Sequence, residues 1–200
     1  MAENNGIAKM PDYRTIVQKT GAAYIPLVEK QISNGGSVDL YQHLCMENAL
    51  TMMHETAVGA GLDGISALQK SEIMQILQQV ATLRLNAFSR PRECYFQTRK
   101  KKQPDGNWTT SIEMGIEGDG NDVILRNFGH GVEEVYPYWD VHVDDEFTYP
   151  VHHGIDVEPP TWKRCGTGKY ARVVYPVRFT DGTVRYFISE RAEVRANLVA

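Results

Sequence analysis

The chain has 200 residues, of which 42% are hydrophobic, 10% aromatic and 23% charged, with a formal net charge of −4. That length suits one domain, or one domain with appendages, and the apolar share allows a sizeable core. No apolar run reaches the roughly 18 residues of a membrane span, and the first 20 residues lack the apolar core of a secretory signal. The three cysteines, Cys45, Cys94 and Cys165, are too scattered for a zinc knot or a disulfide framework, so a reducing cytoplasm is the expected setting.

Apolar residues from Asp12 to Ile32 fall mostly at helical spacing, and Asn34-Gly35-Gly36 stops that helix. Ser37 is the expected N-cap of a second helix that runs to about Val58. A third is expected from Ser66 to Phe88, closed by Ser89-Arg90-Pro91. The character then changes. Cys94–Arg99 and Trp108–Ile116 read as strands around the turn Gln103-Pro104-Asp105-Gly106-Asn107, and so as a hairpin. Gly118-Asp119-Gly120 punctuates the chain before a short helix over Asn121–Phe128. Val132–Val143 reads as one long strand, and the Pro-, Gly- and His-rich segment Pro150–Gly168 as a loop. Tyr170–Phe179 and Thr183–Ile188 flank Asp181-Gly182 as a second hairpin. Ser189, with Glu193 behind it, caps a last helix. Segregated helices and antiparallel strands give an α+β class. The expected division is a helical part, 1–92, and a sheet-containing part, 93–200, within one compact whole.

The charge is unevenly spread. Arg84 to Lys102 holds seven cations and one acid, Glu113 to Glu158 twelve acids and one cation, and Lys163 to Arg185 six cations and one acid. Two basic blocks therefore flank an acidic one, and a fold that joins them makes a positive face on a negative protein. Arg99, Lys100, Lys101 and Lys102 lie on the outgoing arm of the first hairpin. Strand residues alternate faces, so two cations point each way. Phosphate binding competes here with a solubilised sheet edge. The second block, Lys163, Arg164, Lys169, Arg172, Arg178 and Arg185, interleaves cations with Tyr170, Tyr175 and Tyr186. Cations that hold phosphates beside aromatics that stack bases are the chemistry of single-strand binding, and the alternative is an ordinary solvated sheet.

Other chemistry is thinly signalled. Asp140, His142 and Asp144, with His152 and His153, offer oxygen and nitrogen ligands for a metal, yet acid runs are usually solvated. Cys94 and Cys165 are potential nucleophiles without an assigned base. The chain has no phosphate-binding P-loop and no nucleophile elbow. No cofactor, metal or catalytic residue is expected.

The segments from Ala81 to about Arg195 resemble, in order and spacing, the RecT family of phage and prophage single-strand annealing proteins. ATLRLNAFSRPRECYFQTRK stands where that family has an Ala- and Leu-rich helix, a turn and an E-A-Y-L-I-P-Y strand. IEMGIEGDGNDVILRNFG matches its I-G-Y-K-G-L-I-E-L-A-R-R-S-G segment. VEEVYPYWDVHVDDEFTY matches its strand ending in D-E-F, and GTGKYARVVYPVRFTDGTVRYFISERAEVR its closing segment. Asp119 replaces the family's lysine, and only Arg126 remains of the A-R-R pair, so Arg126 and the hairpin lysines are the expected substitutes. Family members continue into a further C-terminal segment, which implies a short form here.

The resemblance implies a β-β-β-α core with helices around it. It also implies ATP-independent annealing of single-stranded DNA during homologous recombination, in the cytoplasm of a bacterial host. The expected partners are single strands, the annealed duplex, further copies in a ring or helix, a phage exonuclease and a host single-strand-binding protein. The rivals are a metal-dependent nuclease using Asp140, His142, Asp144 and His152, and a phage assembly protein without DNA binding.

Overall fold

The structure is a computed structural model that describes residues 15–32, 37–102 and 106–199. The expected helix start at Asp12, the Asn34-Gly35-Gly36 stop and the Gln103-Pro104-Asp105 part of the turn lie outside those residues. The chain forms two compact units that divide between Val123 and Ile124.

In the first unit, α1 (Ile16–Ile32) and α2 (Leu40–Gly59) pack together. The cap of α2 is Asp39, not Ser37. The Asp39 carboxylate accepts the Gln42 N–H at 2.9 Å, and the Gln42 side chain accepts the Asp39 N–H at 3.1 Å. Two orphan donors of the first turn are thus satisfied reciprocally, a geometry Ser37 stands two residues too early to make. The expected third helix is divided. Gly64–Ala67 is a 3-10 turn, and α3 runs only over Lys70–Leu83. Its apolar period continues through buried Leu85 and Ala87. The backbone does not, because Arg84 turns left-handed at φ 58° and the Leu85 N–H closes on the Val80 carbonyl. Leu50 and Met53 of α2 and Ile73, Leu77 and Val80 of α3 are fully or almost fully buried, and α2 and α3 pack face to face.

The first hairpin is β1 (Cys94–Lys102) paired antiparallel with β2 (Trp108–Ile116). Cys94, Phe96 and Ile112 are buried, with α2 on β1 and α3 on β2. This packing places the hairpin with the helices, so the chain divides after it rather than at residue 92. Helix α4 (Gly118–Phe128) takes in the Gly118-Asp119-Gly120 punctuation expected to precede it. A Cβ on Gly120 would lie 2.0 Å from the Glu93 carbonyl oxygen, and one on Gly129 2.3 Å from that of Leu125. Only hydrogen fits at either place.

The second unit is built on one long strand. The expected Val132–Val143 strand is two strands, β3 (Val132–Val135) and β4 (Trp139–His142). Neither Pro137 nor Pro176 has an N–H for a ladder, and the break falls between them. After β5 (Glu146–Phe147), the expected loop holds β6 (Val151–His153), β7 (Asp156–Glu158) and β8 (Trp162–Lys163); β6 pairs with β7 and β5 with β8. Strand β9 (Tyr170–Phe179) carries β3 and β4 along one edge and β10 (Val184–Glu190) along the other. Ser189 and Glu190 finish β10 rather than cap the last helix, α5 (Arg191–Val199). Val135, Val141, Val174 and Val177 are the buried apolar centre. Every strand pairing described is antiparallel, so the protein is a mixed helix-and-sheet chain of α+β type.

Leu77→Ala empties a fully buried site between helices and is expected to lower the unfolding free energy by about 2–5 kcal/mol in chemical denaturation. Leu198→Ala, at an 81% exposed position, is expected to stay within about 0.5 kcal/mol of the parent.

Candidate nucleic-acid interface

The hairpin register decides where its charges point. Opposed residues of an antiparallel pair share a face. Cys94, Phe96, Thr98, Lys100 and Lys102 therefore lie on one face with Ile116, Met114, Ile112, Thr110 and Trp108. Tyr95, Gln97, Arg99 and Lys101 lie on the other with Gly115, Glu113, Ser111 and Thr109. The Tyr95 ring lies directly over Gly115, where a Cβ would meet it at 2.2 Å. At the base the first face is core. Towards the turn it has nothing to bury against, and Arg99, Lys100, Lys101, Lys102 and Trp108 are all exposed.

Arg99 is paired across the ladder with Glu113 at 2.7 Å, an exposed contact of small worth. Among the described residues Lys100, Lys101 and Lys102 have no acidic partner, and the facing Trp108, Thr109 and Thr110 carry no charge. Below the tip a polar groove of about 340 Å³ lies between α3 and β2, lined by Glu72, Gln75, Gln79, Lys101, Ser111 and Glu113. Its acids are engaged: Glu72 accepts the Ile112 N–H at 3.2 Å, and Glu113 holds Arg99. A larger groove of about 560 Å³ between α1 and α2 has no lysine or arginine in its described lining.

The second basic block is different. Lys163 pairs with Glu146 at 3.1 Å, Arg164 with Asp140 at 3.8 Å, Arg178 with Glu134 at 3.8 Å and Arg185 with Asp181 at 3.7 Å. Arg172 is the most committed. Its guanidinium lies over the Phe147 and Tyr149 rings and bonds Glu190 at 3.0 Å. Lys169 and Arg126 have no acidic partner among the described residues, and Arg126 sits in the last turn of α4, where the helix dipole favours a cation. Tyr170 is half exposed and tilts against the His142 ring. Three acids of the middle block, Glu134, Asp140 and Glu146, are thus counter-charges of the second block. Asp119, in the first turn of α4, sits where the dipole favours an acid.

The metal candidates do not converge. Among the described residues no three His, Cys, Asp or Glu side chains are grouped to hold an ion. His142 Nδ1 faces the Gly168 carbonyl, which assigns the proton to Nδ1; its buried Nε2 has no hydrogen-bond partner among the described residues and stands 3.9 Å from Asp140. Asp144 packs against Gly166 and Gly168, and His153 faces Glu158. The Cys45 and Cys94 thiols are buried and pushed up to about 12, chiefly by desolvation and then by Glu93, which leaves them poor nucleophiles. Cys165 is exposed.

Reading the sequence did not single out Trp108. Its only signal is position: it opens the returning strand, opposite the last lysine. The chain matches no protein-family model, no curated protein and no solved structure.

Asp145 organises the loop that carries Lys163 to Lys169. It accepts the His142 N–H, the Trp162 indole N–H and the Cys165 and Gly166 N–H groups. Led by the His142 amide, these donors hold its carboxyl well below the usual carboxylate range, against desolvation. Because the folded pKa is depressed, the stabilisation is full above about pH 4, the unfolded value, and is lost as pH falls through the folded one. Asp145→Asn turns a fourfold acceptor partly into a donor. It is expected to lower the melting temperature at pH 7 and to flatten the loss of stability between about pH 4 and 2, read by a calorimetric pH series.

Proposed function

We propose that the chain is an ATP-independent annealing protein for single-stranded DNA, of the kind its sequence resembles. The observation that carries this reading is the hairpin tip: three lysines with no acidic partner among the described residues, spread over both faces of a ribbon in a protein of net charge −4. Most of the other candidate cations are bound to acids of their own unit, so binding centred on the tip needs no long-range rearrangement of ion pairs.

Annealing demands little chemistry. Two like-charged strands must be neutralised and held extended while base edges stay free to pair. Backbone contacts supply affinity without sequence preference. Lys101, with Arg99, serves one face of the ribbon and Lys100 with Lys102 the other, so one arm can neutralise two backbones. The amides of Gln75 and Gln79 beside Lys101 add polar groups on the α3 side. A β-β-β-α annealing core, a ring or helical assembly and a partner exonuclease belong to the same proposal.

A labelled oligonucleotide mixed with the protein, then with its complement, is expected to give a stable complex holding both strands without ATP or metal. A non-complementary second strand is expected to be left out. Equal behaviour of the two second strands would remove annealing from the reading. Lys100→Glu combined with Lys101→Glu is expected to weaken oligonucleotide binding and to reduce the slope of log affinity against log salt by about 1–2. An unchanged slope in the folded variant would take the hairpin out of the interface.

A further inference from the structure

Trp108 sits where a tryptophan is hard to explain by the fold. It is 64% exposed, and among the described residues no ring or cation packs on its indole. The other two tryptophans behave differently: Trp139 and Trp162 are half-buried and stack on each other with ring centroids 5.7 Å apart. Trp108 is the ladder partner of Lys102, and Lys100 lies on the same face two residues along β1. A shallow space of about 380 Å³ at this place is lined by Lys100, Trp108, Thr109 and Thr110. An aromatic face with flexible cations on one side and small hydroxyl-bearing residues on the other is open to a flat, uncharged ring whose two flanking groups are anionic. An unpaired nucleobase between its own phosphates has that form.

We infer that Trp108 is a stacking platform for an unpaired nucleobase, held there while Lys100 and Lys102 take the adjoining phosphates. The inference rests on the annealing reading and makes it narrower. Phosphate contacts alone do not distinguish a single strand from a duplex, whereas an indole needs a base face that pairing and stacking in a duplex hide. The site is sequence-tolerant, as every base has such a face.

The test compares two probes of equal length and charge, an oligo(dT) and an oligomer of abasic sites, on the full chain. The parent protein is expected to bind the first more tightly. Trp108→Ala is expected to weaken oligo(dT) binding roughly five- to a hundredfold while leaving the abasic probe unaffected, and Trp108→Phe to retain part of the preference. Oligo(dT) is also expected to quench the parent's tryptophan emission, and Trp108→Phe to abolish that quenching. A Trp108→Ala protein that keeps its preference for bases, or a Trp108→Phe protein quenched like the parent, overturns the inference. A parent that binds both probes equally overturns it too but leaves the annealing reading standing. A parent that binds neither probe defeats both.

Discussion

The register of the β1–β2 ladder is the constraint on which the candidate interface depends. A slip of one residue would exchange the two faces of one strand against the other. Either Cys94 and Phe96 or Ile112 would then leave the core beneath α2 and α3, and Gly115 would no longer lie under the Tyr95 ring. Burial at the base therefore fixes geometry at the tip, where nothing is buried. The pairing of Lys102 with Trp108, and the division of the cations between two faces, follow from apolar contacts several residues away.

Charge is organised by the same separation of roles. The net value of −4 describes no part of the surface well. In the second unit Glu134, Asp140 and Glu146, from the acidic block, lie against Arg178, Arg164 and Lys163. Arg172 shows how such a cation becomes structural: over two rings and bonded to Glu190, its guanidinium is part of the packing. The tip of the first hairpin keeps its lysines clear of described acids because the strand facing them begins Trp108-Thr109-Thr110 and the nearest acid on it, Glu113, is held by Arg99. Similar linear runs of cations therefore reach different ends: most of the second is paired, whereas Lys100, Lys101 and Lys102 of the first have no acidic partner among the described residues.

What the sequence made legible follows the range of the interaction. Both hairpins were readable because turn chemistry is local: Asp181-Gly182 announces its turn, and Gly182 takes the positive φ that turn needs. Apolar periodicity located α2 and the middle of α3. It ran too far at Arg84, since periodicity reports which side chains are buried and not whether the backbone carrying them is still helical. Ser37 and Asp39 are both good caps by type, and only the side chain at Gln42 decides between them. The break between β3 and β4 needed Pro137 and Pro176, distant in sequence, to be set against each other. The ion pairs of the second basic block were illegible for the same reason, as was the exposure of Trp108, since isolated strand patterns do not say where the core beneath them ends.

A two-stranded ribbon without a core under it is marginal by itself. The outermost part of this one, Lys100–Lys102 with Trp108–Thr110, is held mainly by ladder hydrogen bonds and by what its base supplies. Such a ribbon also twists more strongly than a strand within a sheet. Its two charged faces therefore turn progressively along the tip rather than lying flat, and Lys100, Lys101 and Lys102 sweep an arc. On the proposed reading, an arc of cations on a two-stranded arm makes less demand for preformed shape on a flexible polyanion than a rigid cleft makes. On the same reading, the indole at its end is the directional contact that charge alone lacks. That combination of loose electrostatic capture and one oriented apolar contact suits a process in which strands must be held firmly enough to stay together and loosely enough to test their pairing.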